Sequence, residues 1–404
     1  MQQADLSNAS VTDHLREEDT DFTLVLGGPL YQLYLRTKLA RPTLELVFRR
    51  VAGISLFCWM PLLVLTLFAG HAVSGVAVPF LLDLGVYTRF VAALPLLVAA
   101  ELFVYQRIGS IVRQFLDRGI VLQQDRARFN DLIASAKRLQ GSAVAEVVLF
   151  LLAVTLGHWA WKQSAISAGS TWFASNTGRE QHLTPAGYWY AFVSLPILRF
   201  MLLRWYFRLF VWYRFLWQVR ALPLHFNLFH PDRAGGLGFL AGSVFAFAPI
   251  LVAQTILLAG MIGDQIWHGG AKLPTFKMEI VGAVVFLMLL VLTPLCFFLV
   301  RLDRAGRKAK REYGILASHY VEDFHRKWIQ GQGTEGDRLL GTSDIQSLAD
   351  LGNAYGVVSE MRLVPFARGT AVRLAIVLIL PFLPLALTMV PLAQIIDRLI
   401  KLVF

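Results

Sequence analysis

The sequence is short of charge and of cysteine. Only 16% of its 404 residues are Asp, Glu, Lys or Arg, and only two are Cys, whereas a soluble domain carries about 25% charged residues. So low a charge content argues against a soluble globular protein. Cys58 and Cys296 both lie in apolar stretches, which excludes a disulfide-based scaffold. No motif identifies a substrate, a reaction or a family.

Long apolar stretches are what the sequence has in excess. Apolar residues make up 56% of the chain, and the mean hydropathy is +0.55. Seven stretches approach the ~20 residues that a helix needs to cross ~30 Å of hydrocarbon, at about 51–70, 86–106, 141–161, 186–203, 237–262, 278–300 and 372–396. The sequence therefore predicts an all-α fold, a polytopic transmembrane helical bundle of about seven spans with a cytoplasmic helical lobe.

The distribution of basic residues predicts the orientation of these spans. Segments 1–50, 107–140, 199–236 and 301–373 hold 31 of the 38 Lys and Arg residues. Because basic loops are retained in the cytoplasm, we expect the N-terminus inside and the C-terminus outside a cell membrane, a bacterial inner membrane. The net charge of +11 then faces anionic headgroups, so we expect membrane lipids, and no nucleic acid, as partners.

The predicted segments follow one another along the chain. Residues 1–50 are a cytoplasmic N-terminal segment, 51–106 hold spans one and two, and 107–140 form a cytoplasmic helical hairpin that turns near Gly119. Residues 141–300 hold spans three to six, 301–371 form a cytoplasmic helical segment, and 372–404 hold span seven and an external C-terminus.

The 301–371 segment is predicted to form a helical lobe. After the flexible stretch 331–336, Ser343 and Gln346 fit a capping box, and an apolar stripe follows from Leu348 to Val358. Either the 107–140 hairpin or a second copy of the chain must cover that stripe. A homo-oligomer through this lobe is therefore one of two expectations.

Three ionisable residues lie inside the predicted spans. Glu101, Glu146 and Arg199 each lie four or five residues from the predicted cytoplasmic end of a span, and therefore at similar depth. Because a lone charge at that depth is costly, we expect the three side chains to face one another or a water-filled cavity. They are the candidate pathway for a solute or proton, and a purely structural ion-pair cluster is the alternative.

Residues 199–220 interleave arginines with aromatic residues. Gating charges repeat every third residue on one face, and these arginines do not. The pattern is typical of an aromatic belt from which arginines reach the headgroups. We therefore predict that Arg204, Arg208, Trp205 and Trp212 anchor the protein in lipid.

The loop before the fifth span carries two further motifs. His230-Pro231-Asp232 is the tripeptide of J-domain cochaperones, but no soluble helix follows it. Arg233, Gly235 and Gly236 are candidate contacts for a phosphate or a lipid headgroup, with a tight turn as the alternative.

Histidines and carboxylates on the cytoplasmic side raise the question of a metal. The di-metal centre of histidine-box desaturases and hydroxylases resembles a cage of about eight histidines that face the cytosol. This chain places only four histidines on the predicted cytoplasmic side, namely His225, His230, His319 and His325. Asp232 and Glu322 could join a smaller site, but His325 points away from His319 on a helix. We expect no metal, no cofactor and no enzymatic activity.

These features predict a channel or transporter for a small ion or solute, with a helical lobe that assembles or gates the bundle. The runner-up is a membrane sensor or assembly scaffold without transport activity. The layout, with seven spans, an inside N-terminus and a cytoplasmic helical lobe, is similar to that of insect chemoreceptor channels. That similarity of layout carries over no residues.

Overall fold

The structure is a computed structural model that describes residues 22–25, 27–37, 46–165, 171–177, 180–331 and 342–387. These residues are almost entirely helical, with one short β-hairpin, which confirms the predicted all-α class. The acidic N-terminal tail, most of the 331–336 stretch and the predicted external C-terminus lie outside the described residues.

Ten helices make up the described chain. In order they are α1 (Pro29–Arg36), α2 (Val47–Phe68), α3 (Leu84–Asp117), α4 (Arg126–Gln140), α5 (Ala143–Ala165), α6 (Pro185–Val219), α7 (Leu237–Trp267), α8 (Leu273–Ile329), α9 (Asp344–Ser359) and α10 (Arg368–Ala386). Among the described residues, α2, α3, α6, α7, α8 and α10 are each long and apolar enough to cross a membrane. The pair α4 and α5, bent by 42°, gives a seventh span if it is counted as one. The chain has the helices of a multi-pass membrane protein.

Three spans run further than the apolar stretches predict. Helix α3 continues to Asp117, α6 to Val219 and α8 to Ile329. Arg118 and Gly119 end α3, and Gly119 takes the left-handed conformation with φ 65°, as predicted for the turn of the hairpin. We call this side of the bundle the hairpin end. Polar continuations remain helical because Lys and Arg have good helix propensity.

The spans pack around α7, which is the most enclosed of them, whereas α2 is the most exposed. Helix α7 packs against α3, α8 and α10, while α6 packs against α4 and α5 and α3 packs against α2. The hairpin of residues 107–140 buries apolar side chains at Ile108, Phe115 and Phe129. The rings of Phe115 and Phe129 contact each other, with centroids 5.7 Å apart, and Phe129 also contacts Phe215 of α6 at 6.0 Å. Aromatic packing therefore closes the hairpin and joins it to the bundle.

The opposite end of the bundle carries the β-hairpin. Strand β1 (Ala174–Thr177) pairs antiparallel with β2 (Glu180–Leu183). The buried Trp172 just before β1 donates from Nε1 to Asp83 Oδ2 at 2.8 Å. A Cβ at Gly187 of α6 would lie 2.0 Å from the Phe173 carbonyl oxygen, so the hairpin packs closely on the start of α6.

The predicted lobe is formed by the end of α8 packed against α9. Helix α8 itself thus covers part of the predicted stripe, and Val358 is buried while Tyr355 stays exposed. The predicted capping box is wrong: the Ser343 side chain makes no cap bond, because its backbone is already helical, and Gln346 binds Asp350 instead, at 2.9 Å.

Candidate functional site

Five charged side chains from four helices meet inside the bundle, and we call them the buried cluster: Arg50 of α2, Glu101 of α3, Glu146 of α5, and Arg204 and Arg208 of α6. None is more than 6% exposed. Glu101 lies at the centre. Its Oε1 accepts hydrogen bonds from Arg204 Nη1 and Arg208 Nη2, and its Oε2 accepts one from Arg50 Nη1, all at 2.9 Å. Arg204 Nε also donates to Glu146 Oε1 at 3.1 Å, so one guanidinium bridges both carboxylates.

Helical spacing explains why two arginines act together. Arg204 and Arg208 are four residues apart and therefore lie on one face of α6, and this face points into the bundle. The Arg208 guanidinium also stacks over the Trp205 ring, 4.4 Å from its centroid. Glu101 and Glu146 meet this face at the common depth that the sequence indicates.

The predicted role of this helix face in lipid anchoring is wrong. Arg204, Arg208, Trp205 and Trp212 are between 1% and 3% exposed, so they do not reach lipid headgroups. The physical reason is that α6 continues to Val219, which keeps these residues within the packed bundle, where carboxylates bind the arginines.

The buried cluster carries more positive than negative charge. Three guanidiniums face two carboxylates, a surplus of one positive charge. In addition, Arg50 Nε and Nη2 and Arg208 Nε and Nη1 are buried and find no hydrogen-bond partner in the described part of the chain. Buried donors without an acceptor are costly, so the cluster has donors to spare for a further acceptor.

Tyr34 of α1 borders the cluster beside α2. The Arg50 guanidinium lies 5.5 Å from the centroid of its ring. Burial, reinforced by the Glu101 carboxylate, raises the pKa of the Tyr34 phenol well above its ordinary value. The phenol therefore stays neutral and does not offset the surplus positive charge.

Helix α1 is attached to the cluster through its backbone. Leu30 N donates to Glu146 Oε2 at 2.8 Å, as suits a carboxylate at a helix N-terminus. Gly28 has φ +86°, and a Cβ at this position would lie 2.6 Å from Glu146 Oε1. Only glycine lets the chain pass so close to this carboxylate.

A cavity of about 670 Å³ lies beside the buried cluster, and we call it the Glu146 cavity. Glu146 and Tyr34 form its polar end. The remaining wall is apolar or nearly so, and comes from α1, α2, α5, α6 and the residue after α1: Pro29, Leu30, Thr37, Gly53, Ile54, Phe57, Val147, Phe150, Leu151, Ile197, Phe200 and Met201. Phe57, Val147 and Phe150 are each more than half exposed, so the cavity opens sideways between α2 and α5.

Arg199 does not join the glutamates. It is half-buried, interacts electrostatically with Tyr190 and Arg89, and its buried Nη1 has no hydrogen-bond partner among the residues described. Arg89 Nη1 donates to the Tyr190 hydroxyl at 3.0 Å, and Asp83 and Asp264 attract Arg89. This second polar group lies toward the β-hairpin end of the spans.

Rotation about the helix axis accounts for that separation. Arg199 and Arg204 are five residues apart, which turns one away from the other by ~140° at ~100° per residue. The same five residues place Arg199 ~7.5 Å closer than Arg204 to the β-hairpin end of α6, so Arg199 does not lie at the depth of the two glutamates.

The loop between α6 and α7 folds around the Asp232 carboxylate. This carboxylate accepts backbone hydrogen bonds from Ala234, Gly236 and Gly238, at 2.8, 3.2 and 2.8 Å. Gly235 and Gly236 both have positive φ, and Arg233 pairs with Glu360 after α9. Of the candidate phosphate contacts, the Gly236 amide thus binds a carboxylate of the chain itself, an arrangement that fits the tight-turn alternative.

The four histidines that are candidates for a metal lie in different places, two in the loop between α6 and α7 and two on α8. His319, Glu322 and His325 line one open groove along α8, beside Lys310 and Arg311. Across the described ranges, no three His, Cys, Asp or Glu side chains come together as a metal site would require.

Arg50 and Tyr34 are the members of the site that sequence reasoning missed. Arg50 precedes the first predicted span by one residue, so the sequence predicts that its charge belongs to the preceding segment, but α2 begins at Val47. The sequence does contain one signal for the arginines of α6. Arg204 and Arg208 are four residues apart, which places two cations on the same helix face. Nothing in the sequence links Tyr34 to this site.

No protein-family model, no curated protein and no solved structure matches this chain.

Proposed function

We propose that the protein is a membrane transporter for a small amphipathic solute, which enters the Glu146 cavity sideways from the bilayer. The observation that carries the proposal is the position of this cavity. It has an apolar wall built by membrane-spanning helices, an opening between α2 and α5, and a polar end at a charged cluster. Ligand sites are commonly cavities of about 300–1,000 Å³ with an apolar wall and few polar groups.

The geometry favours such a solute over a small ion moving past the glutamates. Glu101 is 1% exposed, and three arginine nitrogens at 2.9 Å bind its two oxygens. A cation that used Glu101 would have to displace these arginines. The Glu146 cavity offers a route that leaves the buried cluster intact.

Helix α1 supplies the movable part in this proposal. It lies over one end of the cavity and is held to Glu146 by the Leu30 amide. Displacing α1 would open the cavity away from its lateral mouth, and a carrier needs two such openings.

A flux measurement tests the proposal. The protein is reconstituted in vesicles with a single-chain amphiphile that carries a fluorescent headgroup, in an uncharged and a carboxylate version, and movement between leaflets is followed with an external quencher. We expect either probe to cross faster with the protein than without it. Ile54→Trp, which fills the cavity, should abolish this gain. Leu56→Trp, on an exposed face of the same helix that does not line the cavity, should retain it.

Equal flux with and without protein would contradict the transport proposal, as would equal flux in the two tryptophan variants. The first result would favour a second candidate, an assembly scaffold. That candidate draws on the exposed aliphatic side chains of the lobe, Ile315, Leu316 and Val321, which are between 51% and 54% exposed. It predicts association of copies in native mass spectrometry, lost in Leu316→Ser.

A further inference from the structure

The charge balance of the buried cluster bears on the chemistry of the solute. One positive charge is in surplus among the five ionised side chains, and Tyr34 is neutral. An uncompensated charge inside a bundle is destabilising because the surroundings solvate it poorly. An anion that approaches the cluster is therefore stabilised there, whereas a cation is repelled.

The polar end of the Glu146 cavity is the part of the cavity that lies against the cluster. Tyr34 lines the cavity, and its ring contacts the Arg50 guanidinium. Gly53 and Ile54 of the wall lie three and four residues after Arg50, on the same side of α2. Arg50, whose Nε and Nη2 have no hydrogen-bond partner among the residues that the structure describes, thus lies just behind this wall.

The carboxylate at the same end does not oppose an anion as a free carboxylate would. Glu146 Oε1 is bound by Arg204 and Oε2 by the Leu30 amide. Its charge is therefore already neutralised by a guanidinium and a backbone dipole. At this end of the cavity, the one positive charge by which the guanidiniums of the buried cluster exceed its carboxylates therefore remains without a counter-charge among the described residues.

Resting on the proposed function, we propose that the Glu146 cavity selects a single-chain amphiphile with an anionic headgroup. The chain lies along the apolar wall formed by Ile54, Phe150 and Phe200, and the headgroup sits at the end formed by Tyr34 and Glu146. Arg50 supplies the attraction for the anion. The size of the cavity, about 670 Å³, suits one such molecule.

Three probes with the same chain test the headgroup preference: decanesulfonate, decyl maltoside and decyltrimethylammonium. Each is titrated, below its micelle concentration, against the full chain in phosphatidylcholine nanodiscs, with displacement of a fluorescent amphiphile as the readout. We expect decanesulfonate to bind about tenfold more tightly than decyltrimethylammonium, with decyl maltoside between them.

Variants at neighbouring positions identify the source of the preference. Arg50→Gln leaves two arginines for two carboxylates, so we expect the three probes to bind alike. Arg49→Gln, an exposed neighbour on the same helix, should keep the preference, and Arg50→Lys should restore most of it. Should Arg50→Gln fail to fold, the order of the three probes on the unaltered protein still decides the question.

The outcomes separate this inference from the proposed function. Equal binding of the probes, or preference for the ammonium, overturns the anion selectivity and leaves a cavity for amphiphiles. Binding of none of them, including decyl maltoside, overturns both. Nanodiscs of phosphatidylglycerol provide the last arm: if this two-chain anionic lipid blocks decanesulfonate, the occupant is a membrane phospholipid and the single-chain assignment is wrong.

Discussion

The buried cluster and the lobe formed by α8 and α9 differ in how far their charged side chains are exposed to solvent. In the cluster, charged groups from four helices bind one another almost without exposure. In the lobe, pairs such as Arg307 with Asp303 lie on the surface, with the arginine 70% exposed. Exposed pairs contribute about 0–1 kcal/mol, whereas removing one partner of a buried pair costs about 3–5 kcal/mol. Charge therefore determines helix packing in the membrane region and only adjusts it in the lobe.

The largest expected effect comes from the centre of the cluster. Glu101→Gln leaves three arginines around a neutral amide, so we expect a loss of about 3–5 kcal/mol in the free energy of unfolding. Thermal unfolding in detergent measures it. Glu279→Gln, at an exposed position near the start of α8, is the matched control and should change little. Similar shifts for both variants would remove the contrast between buried and exposed charge.

The edge of the cluster should give an intermediate effect. Gly28→Ala combines a left-handed backbone with a Cβ 2.6 Å from Glu146 Oε1, and residues held in such conformations cost about 1–3 kcal/mol. Gly70→Ala has a similar φ of +72° with nothing within 4 Å, and so reports backbone strain alone. We expect the Gly28 variant to unfold at a clearly lower temperature. Equal unfolding temperatures would show that the contact with Glu146 has no energetic weight.

The smallest effect on stability is expected in the lobe, where a change of pH should weaken the attachment of α9 to α8. Hydrogen bonds from Lys327 and Trp328, both at 2.9 Å, lower the pKa of the Asp344 carboxyl below its ordinary 3.8. Since the folded pKa is the lower one, the attachment of α9 is fully present above the ordinary value and is lost as pH falls through the lowered one. Hydrogen exchange of the α9 amides, corrected for intrinsic rates, should show weaker protection at about pH 3 than at about pH 7.

Two variants check the origin of this pH effect. Asp344→Asn should abolish the difference between the two pH values, and Asp350→Asn, on the same helix and bound to Gln346, should preserve it. An unchanged difference in Asp344→Asn would assign the pH dependence to another group.

Hydropathy is enough to predict where the apolar helices are, because the hydropathy of each stretch depends only on its own residues. Their ends are harder to predict. Helix α6 passes its predicted end near 203 and continues to Val219. Hydropathy misses this continuation because it counts Arg204 and Arg208 as polar, although both bind carboxylates inside the bundle. Depth alone brought Glu101 and Glu146 into one candidate site.

The partners of these glutamates could not be predicted, for a geometric reason. A sequence gives the angle between two residues of one helix, but not the rotation of that helix relative to its neighbours. The sequence places Arg199 inside a predicted span and Arg204 beyond its end, and nothing in it shows that Arg204 is the one that faces the two glutamates. Tyr34 lies on α1, and no local pattern in the sequence encodes how α1 packs against the cluster.

Helix α8 has a mechanical consequence. Its 57 residues would extend ~85 Å at ~1.5 Å per residue, which makes it a lever that joins the membrane region to the lobe. The tighter 3-10 turn at Thr293–Phe298, which contains Pro294, is the compliant joint of that lever. A displacement of the lobe would thus be transmitted to the spans along this one helix.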